Sequence, residues 1–315
     1  MARLRHNLTI LLCAALLAGT GFSVLAQTQA AQCIDCHVKG LDPSIERLGH
    51  TLHGNLPGDD NASCVGCHGA SEEHMAAPVQ ASPDVSFGPN WRSDPETRTA
   101  SCQGCHEQQG QVMWTGGAHQ RENLACDDCH SAHQPKDLAL NHDASEQLCL
   151  SCHPRVRSEI HLPSRHPIVE GKTACVDCHN PHGGLGDSDL HQLTVNDNCL
   201  SCHQEKRGPF LWEHPPVAED CSLCHRPHGS VNERLLTARG PALCQQCHAA
   251  AFHPSLPYGA EGLPAGSANR YLLGKNCMNC HSQVHGSNHP SGARLTRVFP
   301  SSSGCPVSTS SGIRR

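Results

Sequence analysis

The sequence predicts a mostly irregular, repeat-like and elongated chain. It should have short α-helices, little or no sheet, and an interior organised by something other than its own side chains. Three observations lead there. Aromatic residues make up only 3% of the 315 (five Phe, three Trp, two Tyr), whereas aromatic side chains usually dominate a core of that size. Gly and Pro number 28 and 22, and both interrupt helices and strands. Finally, the pentapeptide Cys-x-x-Cys-His recurs ten times. A chain that buries too little apolar surface stays disordered unless another material fills its interior, and the 22 Cys and 26 His point to that material.

In chain order, residues 1–26 read as a secretory signal. Arg3 and Arg5 give a basic start, an apolar run extends from Leu8 to Leu25, and Val24-Leu25-Ala26 offers a small-residue cleavage site. The alternative reading is an uncleaved anchor. No second run of 18 apolar residues follows to span a bilayer as a helix. Cys13 would leave with the signal. Removing 26 of the 315 residues, Arg3 and Arg5 among them, leaves 289 residues with 21 Lys+Arg against 29 Asp+Glu. That net charge of −8 argues against nucleic acid as a partner.

The motif cysteines are Cys33 and Cys36, Cys64 and Cys67, Cys102 and Cys105, Cys126 and Cys129, Cys149 and Cys152, Cys175 and Cys178, Cys199 and Cys202, Cys221 and Cys224, Cys244 and Cys247, and Cys277 and Cys280. The histidines that follow are His37, His68, His106, His130, His153, His179, His203, His225, His248 and His281. This pattern reads as covalent c-type haem attachment. Two thiols form thioethers to the porphyrin edge, and the adjacent His is held beneath the ring as an iron ligand. Disulfide frameworks, zinc ribbons and redox dithiols also use paired cysteines, but none requires His directly after the second Cys. With 26 His in 315 residues, ten independent coincidences have a probability of roughly 10⁻¹¹. The expected cofactor is ten covalent haems c, and the fold class a haem-organised multihaem cytochrome c.

Successive motifs start 22 to 38 residues apart, and the central stretch also carries a two-motif period. CHSAH, CHNPH and CHRPH close the motifs of Cys126, Cys175 and Cys221, and these alternate with CLSCHP, CLSCHQ and CQQCHA. The 45 to 50 residue period is that of an array of stacked units, each contacting mainly its neighbours. The cytochrome domain is read as 27–297, with two five-haem halves at about 27–160 and 161–297 as one division. A Ser-rich tail holding Cys305 occupies 298–315. Short helices are expected where caps precede a motif, at Asp143-Ala-Ser-Glu, at Asn196-Asp-Asn and at Gly240-Pro241. Turns are expected at Pro181-His-Gly-Gly and Leu256-Pro-Tyr-Gly.

Whether the second axial position is filled separates an electron carrier from an enzyme. Fifteen further histidines follow the signal, enough for ten distal sites. His133, His182 and His228 lie three residues past a motif His, too close to reach the far face of that haem, and so should ligate a neighbouring iron. His119, His166 and His214 precede a motif at one phase of the two-motif period. His53, His182, His228 and His285 share a following Gly, which permits close backbone approach. His74 and His253 occupy the long intervals. The expected distal set is therefore His53, His74, His119, His133, His166, His182, His214, His228, His253 and His285, making each iron bis-His. His50 and His289 are alternatives to close neighbours. His142, His161 and His191 are read as solvated or in contact with propionates.

The stretches CVDCHNPHG, EKRGPFLWEHPPVAEDCSLCHRPHGSVN, LCQQCHA and CMNCHSQVHGSNHPSGARL are more specific than a bare motif. They resemble the periplasmic decahaem cytochromes of the MtrA/DmsE/PioA type, and the resemblance covers nearly the whole chain after the signal. It implies ten bis-His haems in an extended conductor, in the periplasm and inside or beneath an outer-membrane β-barrel of the MtrB kind. The implied donor is an inner-membrane or periplasmic cytochrome, and the implied acceptor an outer-surface multihaem cytochrome or terminal reductase. By motif, His182, His228, His285 and His214 become distal ligands.

The leading expectation is a non-catalytic electron conduit, with no catalytic residues assigned. Its alternatives are a soluble periplasmic shuttle or store, and a multihaem reductase with an open iron. The reductase class often carries an altered motif such as Cys-x-x-Cys-Lys, whereas all ten motifs here end in His.

Overall fold

The computed structural model describes residues 33–37, 43–54, 64–106, 111, 113–142, 144–248, 276–279 and 281–290. The expected signal, the Leu256 turn, His253, Cys280 and the tail with Cys305 lie outside the described residues. Helices are short. The longest of those described is the twelve-residue Pro95–His106, and several 3₁₀ turns have three residues. Among the described residues there is no β-strand, only isolated bridges such as His179 with Leu190 and His225 with Leu236. This is the irregular, short-helix architecture that the composition predicts.

The motif itself dictates a local turn. Residues at i, i+3 and i+4 share one face of a helical turn, so one turn presents both cysteines and the histidine together. The His amide closes that turn on the carbonyl of the first Cys in motif after motif: His130 to Cys126 at 2.8 Å, His179 to Cys175 at 3.0 Å, His225 to Cys221 at 3.0 Å and His281 to Cys277 at 2.9 Å. The two-motif period is visible in the kind of turn. Cys126, Cys175, Cys221 and Cys277 open 3₁₀ turns, whereas Cys102, Cys149, Cys199 and Cys244 lie at or near the C-terminal ends of α-helices. Asp128 and Asp177, each just before a second cysteine, accept from the amides of Ala125 and Ala174 at 2.7 Å, which fixes the entry to two of the 3₁₀ turns.

The expected caps are met with adjustments. The helix Val195–Leu200 begins after Thr194, whose hydroxyl accepts from the Asp197 amide at 3.0 Å, so the cap lies two residues before the expected Asn196. Gly240–Gln245 carries its proline in the first turn, as the sequence suggests. Ser145–Cys152 starts after Ala144, which has no capping side chain.

The loops after His179 and His225 are copies 46 residues apart. The Asn180 amide bonds Asp189 O at 2.8 Å, and the Arg226 amide bonds Leu235 O at 2.7 Å. Ser188 and Arg234 hold φ of 59° and 58°, a left-handed conformation that non-glycine residues rarely adopt.

The chain forms two compact units. One comprises Met1–His153 with Ala174–His191, the other Pro154–Thr173 with Gln192–Arg315. Neither has an ordinary core. The buried apolar side chains among the described residues are Trp114, Ala125, Ile160, Ile168 and Ala174, accompanied by buried Arg98, Thr99, Ser145, Asn198 and Ser230.

In the first unit an ion-pair cluster takes over part of the work of a core. Arg98, 4% exposed, pairs with Asp127 and Asp128, the two residues between Cys126 and Cys129. Arg92 meets the same carboxylates from the surface, at 3.0 Å to Asp127. Burial opposes ionisation of Asp128, but the Ala125 amide and both guanidiniums hold its carboxyl below the usual carboxylate range. Truncating one partner of a buried pair strands the other charges. Arg98→Ala should therefore cost about 3 kcal/mol, and the more exposed Arg92→Ala less than about 1 kcal/mol. Guanidinium midpoints of the haem-loaded proteins check this, and equal effects at the two positions would remove the distinction.

Candidate functional site

Ring–ring geometry links the motif histidines to the distal set. In the first unit the ring centroids lie 6.2 Å apart for His37 and His74, 6.0 Å for His53 and His106, 6.3 Å for His68 and His133, 6.2 Å for His119 and His153, and 5.9 Å for His130 and His182. In the second unit they lie 6.3 Å apart for His166 and His203, 6.0 Å for His214 and His248, and 6.1 Å for His225 and His285. Every one of these pairs joins a motif histidine to a histidine expected on the distal side. An imidazole nitrogen sits about 2.0–2.1 Å from a first-row metal and its ring centre roughly 1.1 Å further back, so two rings on opposite faces of one metal have centroids about 6 Å apart. The donor set fits a six-coordinate iron between each pair.

The pairing follows a rule. His133 and His182, each three residues past a motif, face the motif histidine two motifs earlier, and His285, four residues past the last motif, does the same. His53, His119, His166 and His214, each placed before a motif, face the histidine of the motif after it. The fourth and sixth motifs are thus bracketed by histidines that pair with other motifs, His119 and His133 in one case and His166 and His182 in the other.

Orientation comes from the ring nitrogen turned away from the pair. A histidine Nδ1 held by an acceptor leaves Nε2 for a metal. The motif rings His68, His179 and His225 are held by the carbonyls of Val85 at 3.0 Å, Ser188 at 2.8 Å and Arg234 at 2.8 Å. The last two carbonyls belong to the left-handed residues of the copied loop. His74 is held by Ala81 O at 2.9 Å. His119, His166 and His214 use Pro181 O at 2.9 Å, Pro227 O at 2.7 Å and Val284 O at 3.0 Å, in each case the carbonyl just before another distal histidine. Two rings use carboxylates instead: His130 on Asp137 at 2.7 Å and His228 on Glu159 at 3.2 Å.

Burial holds His68, His182 and His285 below the usual histidine pKa, which favours the neutral, metal-binding imidazole. His142 and His191 direct Nε2 to Asp177 at 3.2 Å and to Val176 O at 2.8 Å, so their nitrogens are engaged by protein groups. The glycines after His182 and His228 serve close approach, as expected, but to backbone. A Cβ there would strike the carbonyls of Met113 and Glu159.

Sulfur placement orders the motifs. First cysteines adjoin one another between successive motifs: Cys33 and Cys64, Cys102 and Cys126, and Cys149 and Cys175 in the first unit, Cys199 and Cys221, and Cys244 and Cys277 in the second. In between, second cysteines lie within electrostatic range: Cys67 of Cys105, Cys129 of Cys152 and Cys224 of Cys247. These thiols stand where thioether sulfurs would be, so the contacts locate porphyrin edges rather than titrating groups.

Some contributors had no signal in the sequence. Trp114 packs 6.5 Å from His182, Trp91 lies 6.4 Å from His74, and Phe87 stands edge-on 5.2 Å from His68. Trp114 Nε1, Trp212 Nε1, Arg165 Nε and Ser282 Oγ are buried donors without a protein acceptor, a donor chemistry suited to haem propionates.

The model of the doubled CXXCH motif matches residues 119–158, 166–208 and 214–253. Each match begins on one of the histidines expected on the distal side, His119, His166 and His214. The multiheme cytochrome MtrA of Shewanella baltica (strain OS185) is 41% identical over 274 residues, covering 85% of this chain and 81% of that protein. With that identity across most of both chains, this chain belongs to the MtrA family of multihaem c-type cytochromes, electron-transfer proteins that carry haem c covalently.

Proposed function

We propose that the protein is a ten-haem electron conduit, each iron held by two histidines, working in the periplasm and docked to or threaded into an outer-membrane β-barrel. The observation that carries this reading is the alternation of sulfur contacts. First cysteines meet between one pair of motifs and second cysteines between the next, from Cys33 through Cys175 in one unit and from Cys199 through Cys277 in the other. Porphyrins attached at those sulfurs would meet edge to edge in the order of the sequence, which suits stepwise electron transfer rather than substrate binding. The opposed imidazole pairs support a closed, six-coordinate iron, which leaves no position for nitrite, sulfite or an S-oxide. His179, His228, His253 and His281 complete the ligand set on the sequence pattern.

The secretory signal read at 1–26 supports export to the periplasm. The resemblance supports a barrel of the MtrB kind, a donor cytochrome on the inner side, and a cytochrome or terminal reductase at the outer surface.

Purification from membranes in mild detergent, with haem quantification and identification of co-purifying chains, tests this. The expected result is ten haems per chain and an associated barrel. A ratio well below ten ends the ten-haem reading, and a wholly soluble protein with no barrel makes it a shuttle instead. The ligand assignment has its own check. His214→Ala should turn about one-tenth of the low-spin ferric signal high-spin by magnetic circular dichroism. His142→Ala, at a ring engaged by Asp177, should leave the spectrum unchanged.

A further inference from the structure

We infer that Asp137 sets the potential of the fourth-motif haem, holding it below that of its eighth-motif counterpart. The inference rests on the bis-His reading above. The two sites form an internal control. His130 and His182 have ring centroids 5.9 Å apart and planes 13° from parallel, and His225 and His285 lie 6.1 Å apart at 15°. Both are opened by 3₁₀ turns, and both take their second ring from a His-Gly just past a later motif. Ligand identity and ligand geometry therefore match.

The acceptor on the motif histidine differs, and so does the motif interior, where Asp127 and Asp128, neutralised by Arg98 and Arg92, stand in place of Ser222 and Leu223. At His225 the acceptor is the neutral carbonyl of Arg234. At His130 it is the carboxylate of Asp137, 2.7 Å from Nδ1. Asp137 is 13% exposed, and its other oxygen accepts from the Ala139 amide at 2.9 Å, so the carboxylate is aimed rather than mobile. Glu159 on His228 is the weaker version of the same contact: it is longer, and it is shared with Arg155 at 3.0 Å. Glu205 lies 3.8 Å from His203 with both groups exposed, beyond hydrogen-bond reach.

A carboxylate on Nδ1–H draws the proton toward itself and makes the imidazole a stronger donor. The couple gains one electron from Fe(III) to Fe(II) and moves no other group. A stronger donor, together with a nearby negative charge, stabilises the more positive Fe(III) form, so the potential falls. Asp137 touches the ligand and not the iron, and is a positioning residue.

The test is a potentiometric titration of the full, haem-loaded protein and its D137N variant with a low-potential reductant, followed by electron paramagnetic resonance. One midpoint should rise by about tenfold in its reduction equilibrium, about 59 mV for one electron. The other nine should stay in place, and D137E should restore part of the shift. Ten unmoved midpoints in a fully loaded, low-spin D137N protein overturn the inference, as does loss of the low-spin signal at that site in place of a shift. Should the Asn chain not mature, haem-assigned nuclear magnetic resonance of the unaltered protein decides the matter. The haem on Cys126 and Cys129 must oxidise before that on Cys221 and Cys224, and the reverse order overturns the inference. A high-spin fourth haem in the unaltered protein would instead strike the ligation reading beneath it.

Discussion

The opposed imidazole pair is the constraint on which the rest of the structure depends. Each pair brings together two points of the chain 34 to 65 residues apart, such as His119 with His153 and His68 with His133, at a separation of about 6 Å. Closing a loop of that length costs only slowly more entropy as the loop grows. A metal bridge would meet that cost where the five buried apolar side chains among the described residues cannot. In the first unit successive closures overlap in sequence, from His37–His74 through His53–His106 and His68–His133 to His119–His153 and His130–His182.

Overlap alone would not orient the rings. Orientation comes from the acceptors on Nδ1, and these reuse backbone already committed elsewhere. Pro181 O and Pro227 O hold His119 and His166 while the next residue of each segment is itself a distal histidine. One short stretch thus orients a ring through its carbonyl and carries the next histidine itself. The same economy explains the left-handed Ser188 and Arg234. Their carbonyls must turn back onto His179 and His225, and the unfavourable φ is the local cost of that turn.

The fold class was legible because it follows from counts: few aromatics, many breakers, and ten copies of a motif whose spacing demands a single helical turn. The distal set could be drawn up because its members recur at fixed phases, and His119, His166 and His214 stand where repetition points. Which ring faces which was not legible, since a histidine three residues past one motif faces a ring two motifs away, a relation that only three dimensions disclose. The Nδ1 acceptors were hidden for a different reason. Most are backbone carbonyls, which carry no residue identity, and Asp137 looks like an ordinary surface acid in a loop. Arg98 was hidden similarly, because the Asp-Asp inside a haem motif reads as filler until a buried guanidinium is found beneath it.

Repetition with one altered contact separates scaffolding from tuning. The loops after His179 and His225 share hydrogen bonds, backbone angles and bridge positions, so the scaffold requires only that some acceptor stand at Nδ1. After His130 the chain omits that loop. It reaches the nitrogen from seven residues on with a side chain, which it then fixes through Ala139. A neutral carbonyl would have satisfied geometry there as it does elsewhere. Asp137 on His130 and Glu159 on His228 instead bring a charged partner to a ring, while the paired-ring separations stay close to those of rings held by carbonyls. A wire built this way can shape its energy profile site by site, because the groups that place the rings and the groups that bias them are different atoms.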